Sequence, residues 1–257
     1  LALILLAPGR GVSRPLDLFE RPSGEPFHTS SYVEITGNER IELVAREWRI
    51  SNGLYLESVS NGGDRHVVIV DEKLRTIAWR YEGRNGATEV AALRESPEAP
   101  PEADNTAPRA DSVRLDGIVE GKPVEGAVDL EYIWIQSLER SLRPFVLSGR
   151  PGESLRFSVV QPDNLDSRVL QAKIMGDEPV VIGDERGDDS ATFGTRQVMA
   201  RRVRISLPGI GVIIWRSNYW FRLSDGLFVR SEVTRGPPGT PQTVVRLTAD
   251  SGPAPRP

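Results

Sequence analysis

Few side-chain types do chemistry near neutral pH, and this sequence is poor in most of them. It has two histidines, His28 and His66, and no cysteine. Disulfides, thiolate nucleophiles and thiolate metal sites are therefore excluded. A Ser-His-Asp triad or a three-histidine zinc site needs groups that two histidines barely supply. Neither lies in an H-E-x-x-H motif, and no G-x-S-x-G, P-loop or G-x-G-x-x-G occurs. His66 directly precedes Val67–Val70 and reads as a strand-edge residue, and His28 adjoins a Pro-rich stretch. Carboxylates are the remaining catalytic material. Glycoside hydrolysis needs two of them across a cleft, one kept protonated. Glu42 and Glu47 lie in a strand-like run, with nothing in the sequence to pair them. Two acidic stretches have the oxygen ligands that Ca²⁺ takes. One holds Asp163, Asn164 and Asp166, the other Asp177, Glu178, Asp184, Glu185, Asp188 and Asp189. Neither has the D-x-[DN]-x-[DN]-G order, and both read as solvated turns. No catalytic residue, no metal site and no cofactor are expected.

Aromatic residues are the other candidates. Placed on a concave sheet face they suit a lipid chain or a sugar ring. Trp79, Tyr81, Trp134, Tyr219 and Phe221 are the expected ligand-binding residues, the alternative being ordinary core.

The elements that would carry them are mostly strands. Ile41, Leu43 and Ala45 alternate with polar neighbours, as do Ile77, Trp79 and Tyr81, then Leu170, Ala172 and Ile174, and Val203, Ile205 and Leu207. Period two with one polar side marks a strand buried on one face. Val198 and Ala200 have the opposite parity. If all five residues of that run are core, a β-bulge belongs at Arg201-Arg202. Asn52-Gly53 and Asp225-Gly226 are hairpin signals of the type I′ kind, in which both central residues need positive φ. Leu130, Ile133, Trp134, Leu138 and Leu142 repeat at helical spacing and predict a helix from Glu125 to Leu142, ended by Arg143-Pro144. A strand through Tyr132–Ile135 is the rival reading.

The expected fold is mainly β: a curved antiparallel sheet, as a half-barrel or two related β meanders, with one packed helix. Residues 1–26 read as a signal remnant and mobile lead-in, 27–94 as a first β meander and 95–110 as a Pro- and acid-rich linker. Residues 111–250 read as the helix plus a second meander, and 251–257 as a disordered tail. The two meanders echo each other. Arg49–Ser58 (RISNGLYLES) and Arg222–Ser231 (RLSDGLFVRS) share Arg, Ser, Gly, Leu and the final Ser. Convergence on hairpin chemistry explains the turn and the alternation but not the matching Arg and serines. Duplication is the alternative.

The chain of 257 residues has a formal charge of −4. That leaves no basic surplus for a nucleic-acid partner and argues against electrostatic docking to anionic lipids. Only Lys73, Lys122 and Lys173 are lysines, so the cations are overwhelmingly arginine. The apolar run Leu1–Ala7 is too short to span a bilayer. It reads as the end of a signal-peptide hydrophobic region, the alternative being a buried first strand. No other stretch approaches a transmembrane span.

The order of features is itself informative. GLYLESVSNGGDRHVVIVDEKLRTIAWRY is followed by a Pro-rich break, then by the apolar-periodic segment ending at Arg143-Pro144-Phe145. Strands lead on to Ser217-Asn218-Tyr219-Trp220 and Ser224–Arg230. This order resembles uncharacterised bacterial cell-envelope β domains, similar in look to the half-barrel lipoprotein carriers (Lol-type), over about residues 30–250. The resemblance implies a sheet wrapped on a helix and a periplasmic or extracellular place in the bacterial envelope. It defines no functional residue. The expected function is non-catalytic binding or carriage of a hydrophobic ligand, a lipid or a lipoprotein acyl chain. The alternatives are a structural or protein-interaction domain of the envelope and a carboxylate-dependent polysaccharide hydrolase. The expected partners are a hydrophobic ligand or an envelope protein, not nucleic acid.

Overall fold

Alternating strands long enough to pair need connections, and most here are of seven residues or fewer, so successive strands become neighbours. The computed structural model describes residues 18–95, 112–183, 195–209, 216–234 and 240–251. Eight strands come first: β1 (His28–Thr36), β2 (Glu39–Ile50), β3 (Gly53–Ser60), β4 (Arg65–Val70), β5 (Thr76–Glu82), β6 (Glu89–Glu95), β7 (Ser112–Val119) and β8 (Lys122–Asp129). Two short helices follow, α1 (Leu138–Ser141) and α2 (Arg143–Ser148). The chain ends in β9 (Ser154–Val160), β10 (Ser167–Ile182), β11 (Arg196–Ser206), β12 (Arg216–Arg222), β13 (Phe228–Thr234) and β14 (Gln242–Ser251).

All fourteen strands form one antiparallel sheet in the order 8-7-6-5-4-3-2-1-14-13-12-11-10-9. Two meanders thus join at β1 and β14, and β8 and β9 are left as edges. The sheet does not close into a barrel, yet it is rolled. Val160 of β9 packs in one buried cluster with Leu56, Val68, Trp79, Val90 and Val113 of β3 to β7, on the inner face. Only a sheet curled on that face brings those strands together.

The expected helix over Glu125–Leu142 is corrected. Residues 125–129 belong to β8, paired with β7 from Glu125↔Asp116 to Asp129↔Ser112. The next stretch is extended and crosses the seam between the sheet edges. Ser158 of β9 donates its N–H to the Ile133 carbonyl (2.9 Å) and accepts from the Ile135 N–H (3.0 Å). On the other side, the Thr76 N–H of β5 donates to the Trp134 carbonyl (3.2 Å). The Gln136 amide then imitates a strand residue, donating to the Val160 carbonyl (2.8 Å) and accepting from the Val160 N–H (3.1 Å). Leu130, Trp134 and Ile135 are buried, while Ile133 is exposed. Apolar spacing suited a helix, but this course serves the backbone groups of an otherwise open edge. Pro144 lies in the first turn of α2 rather than ending a helix, because there its missing N–H costs nothing. Arg201 secures the other end of α2, donating to the Val146 and Gly149 carbonyls (2.7 Å each) while it clasps Asp177.

Several other expectations shift. The bulge lies between Ile174 and Gly176 in β10, and the β11–β12 register runs unbroken through Arg201-Arg202. Ala200 is buried because the β10–β11 hairpin reaches β14, where Gly183 donates its N–H to Leu247 (3.0 Å). Residues 18–26 are not a loose lead-in. Phe19 is buried on the outer face beside Trp48 and Tyr55. The Tyr55 hydroxyl donates to the Phe19 carbonyl (3.1 Å) and the Trp48 indole to that of Gly24 (3.0 Å). The Arg21 guanidinium pairs with the buried Glu57 carboxylate, which also holds Arg65. Residues 1–17, most of the Pro-rich stretch (96–111) and the tail 252–257 lie outside the described residues. Across the Pro-rich stretch Glu95 pairs directly with Ser112, so β7 and β8 continue the first meander.

Both echoed hairpins form, four strands apart in the sheet and with matching register: Arg49↔Leu54 in one, Arg222 bonded to Leu227 in the other. Neither turn is of type I′. Asn52 and Asp225 do not have positive φ, whereas Gly53 (φ +149°) and Gly226 (φ +69°) do. Ser51-Asn52 makes the first turn, and Gly53 already belongs to β3. A Cβ at Gly53 would lie 1.9 Å from the Val70 carbonyl oxygen, so β4 allows nothing larger there. Gly53→Ala is expected to cost about 3 kcal/mol of stability from strain and clash. Gly126→Ala, at a position with open space and ordinary φ, should leave stability unchanged or slightly higher. Urea unfolding midpoints of the two variants check this.

Candidate functional site

Where the two meanders meet, the inner face mixes apolar side chains with small and polar ones, and α1 stands over it. The result is a cavity of about 360 Å³. Inward parity selects its walls: Tyr32 and Glu34 from β1, Leu43, Ala45 and Glu47 from β2, Leu56 and Ser58 from β3, His66 and Val68 from β4. Tyr219 comes from β12, Phe228, Ser231 and Val233 from β13, and Thr243 and Val245 from β14. Gln136, Ser137, Glu139 and Arg140 cover it from the crossover and α1. Ser58 and Ser231, the last residues of the two echoed hairpins, both face it. The aromatic pairs nearer the turns do not match: Trp48 and Tyr55 face outward, Phe221 and Phe228 inward. A bulge at Val229, between Phe228 and Arg230, restores the common parity.

The walls are held by specific contacts. The Tyr32 hydroxyl donates to the Phe228 carbonyl (3.2 Å), and the two rings lie 5.4 Å apart. Burial pushes the Tyr32 phenol well above its ordinary range. One ion pair ties α1 to the sheet, Arg140 Nη2 to Glu47 Oε2 at 3.0 Å, with both residues buried. Burial raises the Glu47 carboxyl pKa, against the pull of Arg140 and Arg143, and lowers that of Arg140. Breaking such a pair by removing one partner strands the other charge, which costs far more than the pair contributes. Arg143 lies over Gly226, where a Cβ would come within 2.6 Å of its Cγ, so the second turn needs glycine for packing as well as for φ. Glu139 lines the cavity, with its surface accessible although protein surrounds it. That enclosure raises its carboxyl pKa.

The five aromatic candidates fall into different environments. Tyr219 lines the cavity. Phe221 is fully buried and meets Phe228 edge-on, at 6.0 Å. Trp79 and Trp134 are completely buried in the first-meander core. Tyr81 is half-buried, donates to Asp64 (3.3 Å) and lies against His66 with ring centroids 4.6 Å apart at a tilt of 52°. Glu139, Arg140, Tyr32 and Phe228 escaped the sequence reading, and Glu47 entered it only as a candidate carboxylate. The signal for Glu47 was present: it breaks the inward run Leu43, Ala45 with a charge.

Catalytic pairing gains nothing from Glu42 and Glu47. Glu42 pairs with Val33 on the outer face and Glu47 points inward, so they cannot flank one cleft. Among the described residues no group of three or more His, Asp or Glu is placed to hold a metal. Asn164 hydrogen-bonds Asp166 through both ends of its amide. Asp177 is taken by Arg201, and Glu178 accepts from the Trp220 indole (2.6 Å). Residues 184–189 of the second acidic stretch lie outside the described ones.

No family model and no curated protein matches the chain. Among solved structures it is similar to a beta-barrel-like protein of the domain of unknown function DUF1849 from Brucella abortus. That match has 13% identity and a TM-score of 0.52, and it covers 87% of this chain and 96% of that one. A second likeness is to the hypothetical lipoprotein YmcC from Escherichia coli, with 11% identity and a TM-score of 0.41, covering 90% and 86% of the two chains. The first shares the fold; the second is too distant to support an argument.

His66 gives the site a pH signature. Burial pushes its imidazole down to about 4, against the opposing pull of Asp64. A depressed pKa contributes stability above the unfolded value near 6.5 that is lost as pH falls toward about 4. Glu47 and Glu139, raised, act with the opposite sign, losing stability as pH rises above their unfolded value. The difference in melting temperature between wild type and His66→Gln should therefore shift across pH 6.5 to 4 in the variant's favour. A constant difference would show that His66 is solvated in the native state.

Proposed function

We propose that this domain binds a hydrophobic or amphipathic ligand, such as a lipid or an acyl chain, in the bacterial envelope, without catalysing a reaction. The cavity carries this reading. It falls in the size range of small-molecule sites, roughly 300–1,000 Å³, and Leu43, Leu56, Val68, Phe228, Val233 and Val245 supply apolar walls. Of the aromatic candidates, Tyr219 belongs to this site. The polar groups gather where α1 covers it, an arrangement that suits a chain in the apolar part and a headgroup near Glu139 and Arg140. The sequence resemblance to envelope domains supports an exported setting.

The test is native mass spectrometry of protein purified from its own envelope fraction, before and after organic extraction, with a titration of the neutral dye N-phenyl-1-naphthylamine. A lipid-sized adduct lost on extraction, and saturable dye binding, are expected. Ala45→Trp places a large side chain in the cavity and should weaken dye binding at least about tenfold, a loss of about 1.4 kcal/mol. A bare mass with no dye binding would leave a structural or interaction domain as the better reading.

A further inference from the structure

The formal charge of −4 hides a strong separation of charge. Register places Lys173 and Arg204 side by side on the outer face of β10 and β11. In the next row Arg202 lies beside Trp220, then Arg230, then Arg246, across β11 to β14. Arg216 of β12 shares that face, opposite Ser206. Six cations thus occupy five adjacent strands, a patch roughly 20 Å wide at the usual strand spacing.

Among the described residues two acids are seen against cations of this face. Glu232 pairs with Arg230, and Glu178 lies 3.6 Å from Arg202. Lys173, Arg204 and Arg216 make no ion pair among the described residues. Lys173 and Arg216 are exposed and Arg204 is half-buried. Toward β1 the same rows continue into Val33 and Ile35. Net charge predicts docking only when charge is evenly spread, and here it is not.

We propose that the outer face of β10–β14 docks on an anionic phospholipid surface. Guanidinium groups match phosphate oxygens in bidentate geometry, and the cations are spread in two dimensions, as headgroups are. A nucleic-acid strand would instead want a tracked groove with open aromatic platforms. Trp220 offers none, since it is buried with the Arg230 guanidinium 5.4 Å from its ring centroid. This proposal stands apart from the cavity ligand, because the two sites lie on opposite faces of the sheet.

The experiment is vesicle co-sedimentation of the full chain with phosphatidylcholine vesicles and with vesicles containing phosphatidylglycerol, at low and high salt. Binding to the anionic vesicles alone, reversed by salt, is expected. The triple variant Lys173→Gln, Arg204→Gln, Arg216→Gln should bind on the order of a hundredfold more weakly, about fivefold per cation. Its melting temperature and dye binding should match wild type, which separates lost docking from lost folding. Equal binding to both vesicle types, binding to neither, or an unaffected triple variant would overturn the proposal. So would retention on duplex DNA without vesicle binding. Failure of the cavity reading would show in the dye titration alone.

Discussion

The pairing of β1 with β14 is the constraint on which the rest depends. Eight residue pairs, from Thr29↔Ser251 to Thr36↔Thr243, join segments about 200 positions apart. At one end the Thr36 and Thr243 hydroxyls meet at 2.7 Å. Without this ladder each meander would have a further open edge, and the cavity would lose its floor, because Tyr32 and Glu34 come from one partner and Thr243 and Val245 from the other. Such a long-range pairing brings a large loop-closure cost before it returns any contact energy, so folding should be slow compared with that of local-contact domains.

The inner face divides its work along the same line. Toward the edges it is filled core: Trp79 and Trp134 on one side, Phe157, Ile174 and Ile205 on the other, all essentially without exposure. At the middle, Ala45, Ser58, Ser231 and Thr243 interrupt the large residues, and α1 is held by Arg140 on Glu47 together with the packing of Leu138 against the core. An ion pair in an enclosed place adds little net stability but fixes geometry. Here it keeps the helix at a set height above the sheet, and that height is what leaves the space open.

Much of the sheet could be read from period two. The inward positions of β2, β5, β10 and β11 are those of Ile41–Ala45, Trp79–Tyr81, Leu170–Ile174 and Val203–Ile205. The crossover could not be read, because Leu130, Trp134 and Leu138 bury at helical spacing whether or not the backbone is helical. What decided its course was the need of β9 for hydrogen-bond partners, a non-local demand that leaves no local mark. Gly53 was visible as a turn glycine, but the reason that it must be glycine lies in β4. Of the aromatic candidates Tyr219 lines the cavity while Trp79 and Trp134 are core, since size and apolarity do not tell a filled space from an empty one. The basic face stayed hidden because its members, spread from Lys173 to Arg246, come together only through register.

Gln136 sits where the rolled sheet is joined. In a closed barrel, strand number and stagger set the bore, and every change of radius breaks a whole ladder. Here the circumference is set at a stitched seam: two side-chain amide bonds to Val160 and a few backbone bonds around Trp134 and Ser158. The girth of the molecule is thus adjustable at the expense of a handful of hydrogen bonds while thirteen strand pairings stay intact. A sheet rolled this way can be widened or narrowed by editing one short crossing segment, with its strand pairings untouched.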